Sequence, residues 1–369
     1  MLSRVADSLY WINRYVERAD NFARFLEISI ALSLDSSDAV ANLWQPLLEA
    51  SGVAELFAER YLICNEANCC DFLTRRGDNP SSIVSCLAAA RENARQIRDR
   101  ITTEMWEQLN ELHWQLQNSS FWEQPLQECL RDIRRGCALF YGVTDATQSR
   151  DHAWEFGLLG RWMERADKTS RLLDANWSLA GPLNLASGML SLDAAEQQEL
   201  HWIGVLRCVG GYQMFRQHGG ACINATSVSA YLLLDARFPR SVRHCIERIN
   251  ASLRGLLVES RLRQQLEHMD QLLQRLSDST TTRQRVFRSG ADLPQRAVEL
   301  RACGSDHELE WLAGLLQARW CHLTMADLLD DGLHASVDEL QSDLNCLDNL
   351  IHVRYLMAVD PGLLEPASA

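Results

Sequence analysis

The first amphipathic pattern of the chain lies between Tyr10 and Leu26. Residues placed about 100° apart, as in an α-helix, put one set of largely apolar side chains on a single face. This set comprises Ile12, Tyr15, Val16, Ala19, Phe22, Ala23 and Leu26. The opposite face carries Tyr10, Arg14, Glu17, Asn21 and Arg24, and between the two faces lie Trp11, Arg18 and Phe25. The spacing predicts an amphipathic helix whose apolar stripe faces the core.

Most of the remaining chain shows helical patterns of the same kind. Eight prolines and nineteen glycines occur in 369 residues, and the stretches between them are rich in Leu, Ala, Glu, Arg and Gln, which favour helix. Pro80 followed by Ser81 or Ser82, and later Pro239, mark predicted helix starts. The sequence shows no alternating strand pattern or hairpin signal of the usual kind. We therefore predict an all-α fold, a multi-helix bundle.

Two thirteen-residue segments of the chain repeat each other. Residues 14–26 read RYVERADNFARFL and residues 161–173 read RWMERADKTSRLL, with seven identical positions. The repeat predicts two related halves, approximately 1–146 and 147–330, packed about a pseudo-twofold axis within one domain, 1–360. The polar segment 276–292 is predicted to be a mobile loop, and 361–369 a frayed C-terminal tail.

The charged face of the repeated helix has three interpretations. Arg14 and Glu17 stand three residues apart, so they could pair along the surface of their own helix. A solvated stripe of this kind would contribute little stability. The motif recurs in the same register, however, and has aromatic residues beside it. A buried ion-pair network that joins the two halves, or a pocket for a carboxylate or phosphate, explains these features equally well.

Composition narrows the classes of partner. The net charge is −13 and the pI about 5.3, so we expect no binding to nucleic acid. Lys168 is the single lysine among 36 basic residues, and arginine is the side chain suited to bidentate carboxylate or phosphate contacts. We see no signal peptide and no stretch long enough to span a membrane. The twelve cysteines are then expected as reduced thiols in a cytoplasmic protein without a membrane partner.

The familiar catalytic and metal-binding motifs are missing from the sequence. The glycine pairs at 210–211 and 219–220 lack the Lys-Ser or Lys-Thr that completes a phosphate-binding loop. Cys64, Cys69 and Cys70 make no C-x-x-C pair, and the Glu-x-x-His motif of two-metal helical bundles does not occur. We therefore expect no metal site and no cofactor of the protein's own.

Four segments of the chain resemble the alpha-E family, a bacterial all-helical domain named for its Glu-Arg motif. They read MLSRVADSLYWINRYVERADNFARFLEI, DNPSSIVSCLAAARENARQIRDRITTEMWEQLN, GLLGRWMERADKTSRLLD and LLLDARFPRSVRHCIERI. The resemblance covers most of the chain in the expected order. It implies three blocks of motif residues: first Arg14, Glu17, Arg18, Arg161, Glu164 and Arg165; second Arg91, Glu92, Asn93 and Arg95; third Asp235, Arg237, Phe238, Pro239 and Arg240. Arg24 and Arg171, each seven residues after a repeated glutamate, complete the candidate substrate-binding set.

The resemblance implies a context for the protein and assigns no activity to it. Alpha-E proteins are encoded beside, or fused to, circularly permuted ATP-grasp proteins, and often lie near transglutaminase-like proteins. We therefore expect a helical binding component of a system that forms or modifies peptide or amide bonds. ATP and Mg would be held by a separate ATP-grasp ligase partner, with a transglutaminase-like protein as a second candidate partner.

Two alternatives to this expectation stay open. In the first, the protein is itself an enzyme of amide-bond chemistry, with Glu17 or Glu164 as acid or base and the arginines as anion clamps. In the second, it is a purely structural helical repeat protein whose charged stripes hold the halves together.

Overall fold

The structure, a computed structural model, describes residues 3–35, 44–180, 192–218, 222–256 and 308–356. Across these ranges the chain forms fifteen α-helices, a 3₁₀ segment at Ser119–Glu123, a π-helical turn at His352–Leu356, and no strand. The predicted all-α, multi-helix fold is therefore confirmed. The predicted mobile loop 276–292 and the predicted tail 361–369 lie outside the described residues.

The helices are numbered here in chain order. The first eight are α1 (Ser3–Asp35), α2 (Trp44–Ser51), α3 (Ala54–Ala58), α4 (Glu66–Thr74), α5 (Ile83–Gln96), α6 (Thr103–Gln117), α7 (Leu126–Thr147) and α8 (His152–Ala180). The other seven are α9 (Leu192–Cys208), α10 (Tyr212–Gln217), α11 (Ala225–Leu234), α12 (Val242–Leu256), α13 (Glu308–His322), α14 (Met325–Asp330) and α15 (Leu333–Ile351).

The two repeated segments lie in α1 and α8, which pack side by side. Near one end of the contact, a Cβ atom added to Gly160 would lie 2.1 Å from the carbonyl oxygen of Tyr10. Further along the chain, Phe25 and Leu172 line one small cavity. Both helices therefore run in the same direction, and Gly160 permits the close backbone approach. The wider division into two repeated halves includes residues outside the described ranges and stays a prediction.

Helices cover both faces of this central pair. α1 also packs against α5, α7 and α9, and α8 packs against α2, α12 and α15. The apolar stripe of α1 faces the core as predicted, and its polar face, whose burial the sequence left open, is largely covered as well. Tyr10 and Glu17 are fully buried and Asn21 nearly so, whereas Tyr15, placed on the core face, is partly exposed.

The predicted helix starts have different outcomes. Ser82 caps α5 as expected, because its side-chain oxygen accepts a hydrogen bond from the Ser85 backbone N–H at 3.2 Å. Pro239 does not open its helix, because α12 begins at Val242. The hydroxyl of Ser241, the residue just before this helix, accepts a hydrogen bond from the His244 N–H at 3.1 Å. Within the described ranges, no helix combines the length and apolar character that crossing a membrane requires.

Candidate functional site

Each repeated glutamate binds arginines of the opposite helix. Arg165 of α8 donates from Nε and Nη2 to the two carboxylate oxygens of Glu17, at 2.9 and 2.8 Å. Arg18 of α1 donates to Glu164 in the same bidentate way, from Nε and Nη2, at 2.6 and 2.9 Å. Arg14 Nε also donates to Glu164, at 3.0 Å. The charged groups therefore pair between helices, and the pairing of Arg14 with Glu17 along one helix surface is not formed among the described residues.

Both glutamates are fully buried and ionised. Burial alone would raise the pKa of Glu17, but the guanidinium groups of Arg165 and Arg240 outweigh it and hold that pKa well below its usual range. The same opposition, with Arg18 and Arg14 as the nearby cations, lowers the pKa of Glu164 to about 2. The interpretation of the charged face as a solvated stripe is therefore wrong, because these carboxylates have no exposed surface.

The Glu17 carboxylate organises a cluster drawn from four helices or loops. Arg240, from the loop before α12, donates to Glu17 at 2.7 Å, and the hydroxyl of Tyr141 on α7 donates to it at 2.9 Å. Arg161 Nε lies 3.7 Å from the same carboxylate. Asp20, one turn further along α1, accepts a second hydrogen bond from Arg240 at 2.7 Å. The result is a set of positively charged groups fixed in position by buried acceptors.

The Glu164 cluster is balanced differently. Arg14, the counterpart of Arg161 in the repeat, has two carboxylates in contact, since it also donates to Asp348 at 2.9 Å. Lys168 lies 3.0 Å from Asp167 and 4.0 Å from Glu164. Arg171, the other predicted site residue on this side, donates to Asp167 at 2.7 Å. Each cation here therefore has a close carboxylate partner.

An open cleft of about 630 Å³ borders the Glu17 cluster. Its charged walls are seven arginines and two acids: Arg24, Arg131, Arg134, Arg135, Arg161, Arg165 and Arg240, with Asp20 and Glu27. These residues form what we call the arginine cleft. Even when Glu17 beneath it and Asp132, the partner of Arg135, are included, positive charges exceed negative ones by three. The cleft is therefore locally cationic in a protein whose net charge is −13.

Arg161 is held in the cleft chiefly by aromatic contacts. Its guanidinium carbon lies 3.8 Å from the ring centre of Tyr141 and 5.5 Å from that of Trp162. Burial, followed by repulsion from Arg165, lowers the pKa of Arg161. The pKa of Arg240 is lowered as well, mainly by burial; repulsion from Arg165 adds to the lowering, and Glu17 partly offsets it. An anion in the cleft would relieve this crowding of positive charge.

The predicted block of residues around Pro239 forms the loop that positions Arg240 at the arginine cleft. The Asp235 side chain accepts hydrogen bonds from the backbone N–H groups of Arg237 and Phe238, at 2.7 and 2.8 Å. Arg165 Nη1 donates to the carbonyl of Pro239 at 3.3 Å. Of this block, Arg240 reaches the cleft, Asp235 shapes the loop, and the side chain of Arg237 is exposed.

The block on α5 does not join the site. Arg91 donates to Asn110 at 2.8 Å and lies over the ring of Trp106. Glu92 and Arg95 form an exposed ion pair with each other. The remaining member, Asn93, donates to the carbonyl oxygen of Ala89 at 3.0 Å. None of the contacts described for these four predicted site residues reaches either glutamate cluster.

Several residues of the cleft were not predicted from the sequence. Arg131, Arg134 and Arg135 stand at i, i+3 and i+4 on α7, a spacing that brings side chains onto one helix face. The segment RDIRR was therefore a readable signal. Tyr141 carried none, because it meets Glu17 across 124 residues of chain. Asp20 lies inside the repeated motif, and its partner Arg240 could not be identified from spacing.

One group in the described ranges has the composition of a weak cation site. One potential metal-coordinating atom from each of Asp174, His334 and Asp338 lies within 4.8 Å of the others at the junction of α8 and α15. Both ring nitrogens of His334 already face carboxylates, at 2.6 and 3.4 Å, and the histidine is exposed. When His334 is protonated, the three side chains form an ion-pair cluster at the surface. The expectation that the protein has no metal site is not tested and stays a prediction.

Comparison with known proteins gives relatives without a described activity. Three uncharacterized proteins, one from Mycobacterium bovis and two from strains of Mycobacterium tuberculosis, are each 25% identical to the chain over 349 residues. The matches cover 89% of this chain and 36% of each relative, so the chain spans about a third of their length. No solved structure matches the chain. The family Alpha-E, described as "a predicted alpha-helical domain with a conserved ER motif", matches residues 1–356. The chain therefore belongs to the Alpha-E family.

Proposed function

We propose that this protein is a helical anion-binding component of a cytoplasmic system that forms or modifies peptide or amide bonds. The arginine cleft binds the carboxylate or phosphate group of the ligand. A separate ATP-grasp ligase, which holds ATP and Mg, is the partner, and a transglutaminase-like protein is a second partner. The protein contributes recognition of the ligand and leaves the bond-forming step to the ligase.

The observation that carries this proposal is the difference between Arg161 and Arg14. Both occupy the same place in the repeated motif, yet Arg14 has carboxylates at 3.0 and 2.9 Å whereas Arg161 has its nearest at 3.7 Å. Arg161 lines an open cleft with an excess of three positive charges. A guanidinium stacked on an aromatic ring keeps its N–H donors available for a bidentate acceptor.

The buried glutamates position the arginines in this proposal. Four donors already surround the Glu17 carboxylate, including both prongs of Arg165 and the Tyr141 hydroxyl. A carboxylate with a pKa well below neutral and no exposed surface is poorly suited to take up and release a proton. The alternative in which Glu17 or Glu164 acts as acid or base is therefore disfavoured.

The partner in this proposal comes from family resemblance. ATP-grasp enzymes commonly join a carboxylate to an amine through an acyl phosphate, so carboxylate and phosphate groups are the anions that such a system handles. A cationic cleft with preformed arginine donors fits both groups. A purely structural role accounts for the Glu164 cluster, where every cation has a close carboxylate partner, but leaves the open arginine cleft without a purpose.

The binding part of the proposal is tested by calorimetric titration of the full chain with sodium acetate and sodium phosphate at constant ionic strength. We expect binding by the wild type and a loss of at least tenfold in affinity, about 1.4 kcal/mol, in Arg161→Gln. Arg95→Gln serves as the matched control, because it also removes one positive charge but lies outside the cleft. Equal affinities in all three proteins, or no binding, would overturn the proposed cleft function.

The partner part is tested by co-expressing the protein with a circularly permuted ATP-grasp protein, the partner that the family resemblance implies. We expect the two to co-purify, and amino-acid-dependent ATP hydrolysis by the complex to fall in Arg161→Gln but not in Arg95→Gln. Circular dichroism of each variant checks that the helices are intact. Absence of a complex with a folded wild-type protein would remove the ligase from the proposal while leaving the anion site open to the titration above.

A further inference from the structure

The arginines of the cleft form two tiers, of which the one on α7 is on the whole the more exposed. Arg161, Arg165 and Arg240 form the inner tier, with side chains 25%, 5% and 12% exposed. Arg131, Arg134 and Arg135 form the outer tier on α7, with side chains 51%, 28% and 72% exposed. Positive charge therefore extends from the floor of the cleft to its rim.

The inner tier is preorganised. Arg165 and Arg240 are each fixed by hydrogen bonds to Glu17, and Arg161 is stacked on Tyr141. Ordering these side chains on binding costs little further conformational entropy, because packing already holds them. Arg24, which donates to Asp20 at 2.8 Å, adds a fourth guanidinium beside this tier.

The three arginines of the outer tier pair with only two carboxylates among the described residues. Glu27 forms ion pairs with both Arg134 and Arg131, and Arg131 lies 3.8 Å from it. Arg135 pairs with Asp132 on the same helix at 3.2 Å. One carboxylate thus serves two arginines, and the buried Nε atoms of Arg134, Arg24 and Arg161 make no hydrogen bond among the described residues. Because those Nε atoms are buried, the donors open to a ligand are the more exposed guanidinium N–H groups, as on Arg131, which is half-exposed with its nearest carboxylate 3.8 Å away.

Size and charge together point to a ligand larger than one anionic group. A cleft of about 630 Å³ falls within the range of sites for whole small molecules, roughly 300–1,000 Å³. A carboxylate would neutralise one of the three excess charges. A phosphate group carries about 1.5–2 negative charges at neutral pH, so two or more linked phosphates match the charge excess of the cleft.

We propose that the arginine cleft binds a chain of two or more linked phosphate groups, with one phosphate on the inner tier and the next on the outer tier. This inference rests on the proposed anion-binding function and narrows its ligand class from any carboxylate or phosphate to a di- or triphosphate. The aromatic ring that lines the cleft, Tyr141, already stacks on Arg161. Recognition is therefore of the phosphate chain, whether inorganic or part of a nucleotide.

The test is calorimetric titration of the full chain with acetate, phosphate, pyrophosphate, tripolyphosphate and ATP without Mg, at fixed ionic strength. We expect tripolyphosphate and pyrophosphate to bind at least about tenfold more tightly than phosphate. Comparable affinities for tripolyphosphate and ATP would indicate that the phosphate chain alone is read, whereas tight binding of ATP alone would overturn that statement.

Variants separate the two tiers. In Arg131→Gln/Arg135→Gln the ratio of tripolyphosphate to phosphate affinity should fall toward one, because the second phosphate loses its partners. Arg95→Gln/Arg100→Gln is the matched control, since it removes two exposed arginines outside the cleft. If the control lowers the ratio equally, the preference is nonspecific charge attraction and the inference fails.

The possible failures are distinguishable. Equal affinities for phosphate and tripolyphosphate in the wild type would overturn the polyphosphate inference and leave the proposed anion-binding function standing. No binding of any of the five anions would overturn both. Tight tripolyphosphate binding that depends on the outer tier, together with weaker phosphate binding, would support both.

Discussion

Glu17 of α1 and Arg165 of α8 form a bidentate, fully buried ion pair, with both guanidinium-to-carboxylate distances below 3 Å. Arg18 and Glu164 repeat this geometry with the helices exchanged. The glutamate of each repeated motif therefore forms an ion pair with the arginine of the other motif. Such paired charges in a low-dielectric interior stabilise one helix register only while both partners are present.

The first prediction concerns the loss of one partner. Glu17→Ala should lower the free energy of unfolding by about 3–5 kcal/mol, because it leaves Arg165, Arg161 and Arg240 buried without their shared acceptor. Urea unfolding followed by circular dichroism measures the change. Glu92→Ala, at an exposed ion pair on α5, is the control and should unfold as the wild type does. A wild-type midpoint in Glu17→Ala would contradict the structural role of the carboxylate.

The helical class of the fold was readable from composition and from the repeated motif, whereas burial of the charged face was only one of three interpretations that the sequence left open. A periodicity of 3.6 residues describes one helix and contains no information on what covers its other side. Tyr141 and Arg240 reach Glu17 across 124 and 223 residues of sequence. Their positions depend on how α7 and the loop before α12 pack, which local patterns do not specify.

The site was predictable in part for the same reason. Arg161, Arg165 and Arg240 were identified from motif recurrence and family resemblance, and the structure brings them to one cleft. The α5 block was included on resemblance alone, and the structure places it elsewhere. The basic run RDIRR was visible in the sequence, yet a charged run on one helix is usually a solvated face. Its contribution depends on Glu27 and Asp20 of α1 lying opposite.

A second prediction compares the two motif arginines that differ in their partners. Arg14→Gln should lower the free energy of unfolding by roughly 3 kcal/mol, because Glu164 and Asp348 lose a buried cation. Arg161→Gln should cost less stability and weaken anion binding by the cleft at least about tenfold. Thermal unfolding and calorimetric titration of both variants check the pair of expectations. The same loss of stability in both, with binding retained in both, would argue against a specialised role for Arg161.

A third prediction tests the close contact between α1 and α8. Gly160→Ala should lower the free energy of unfolding by at least about 1–3 kcal/mol, because the new Cβ would lie 2.1 Å from the Tyr10 carbonyl oxygen. Gly142→Ala is the matched control in the interior of α7, where an added Cβ has open space. That control should gain about 0.5–1 kcal/mol through helix propensity. Stabilisation in both variants would show that the helices do not approach as closely as described.

The last prediction is a pH dependence that arises at Asp343 of α15. Burial, reinforced by the nearby Glu339 carboxylate and only partly offset by Arg319 at 3.7 Å, raises the pKa of Asp343 to about 7. The unfolded chain has an Asp pKa of about 3.9, so the folded state binds this proton more tightly. The resulting stability is fully present below about pH 4 and is lost as the pH rises through 7.

Asp343→Asn removes this dependence and tests its sign. Relative to wild type, the variant should gain stability on going from pH 5 to pH 8, by up to about 1.4 kcal/mol for each pH unit below the folded pKa. Urea unfolding of both proteins at the two pH values gives the difference. Asp330→Asn, at an exposed aspartate of α14, controls for the change in surface charge. A difference between Asp343→Asn and wild type that is the same at pH 5 and pH 8 would mean that Asp343 is ionised throughout, with its charge compensated by Arg319.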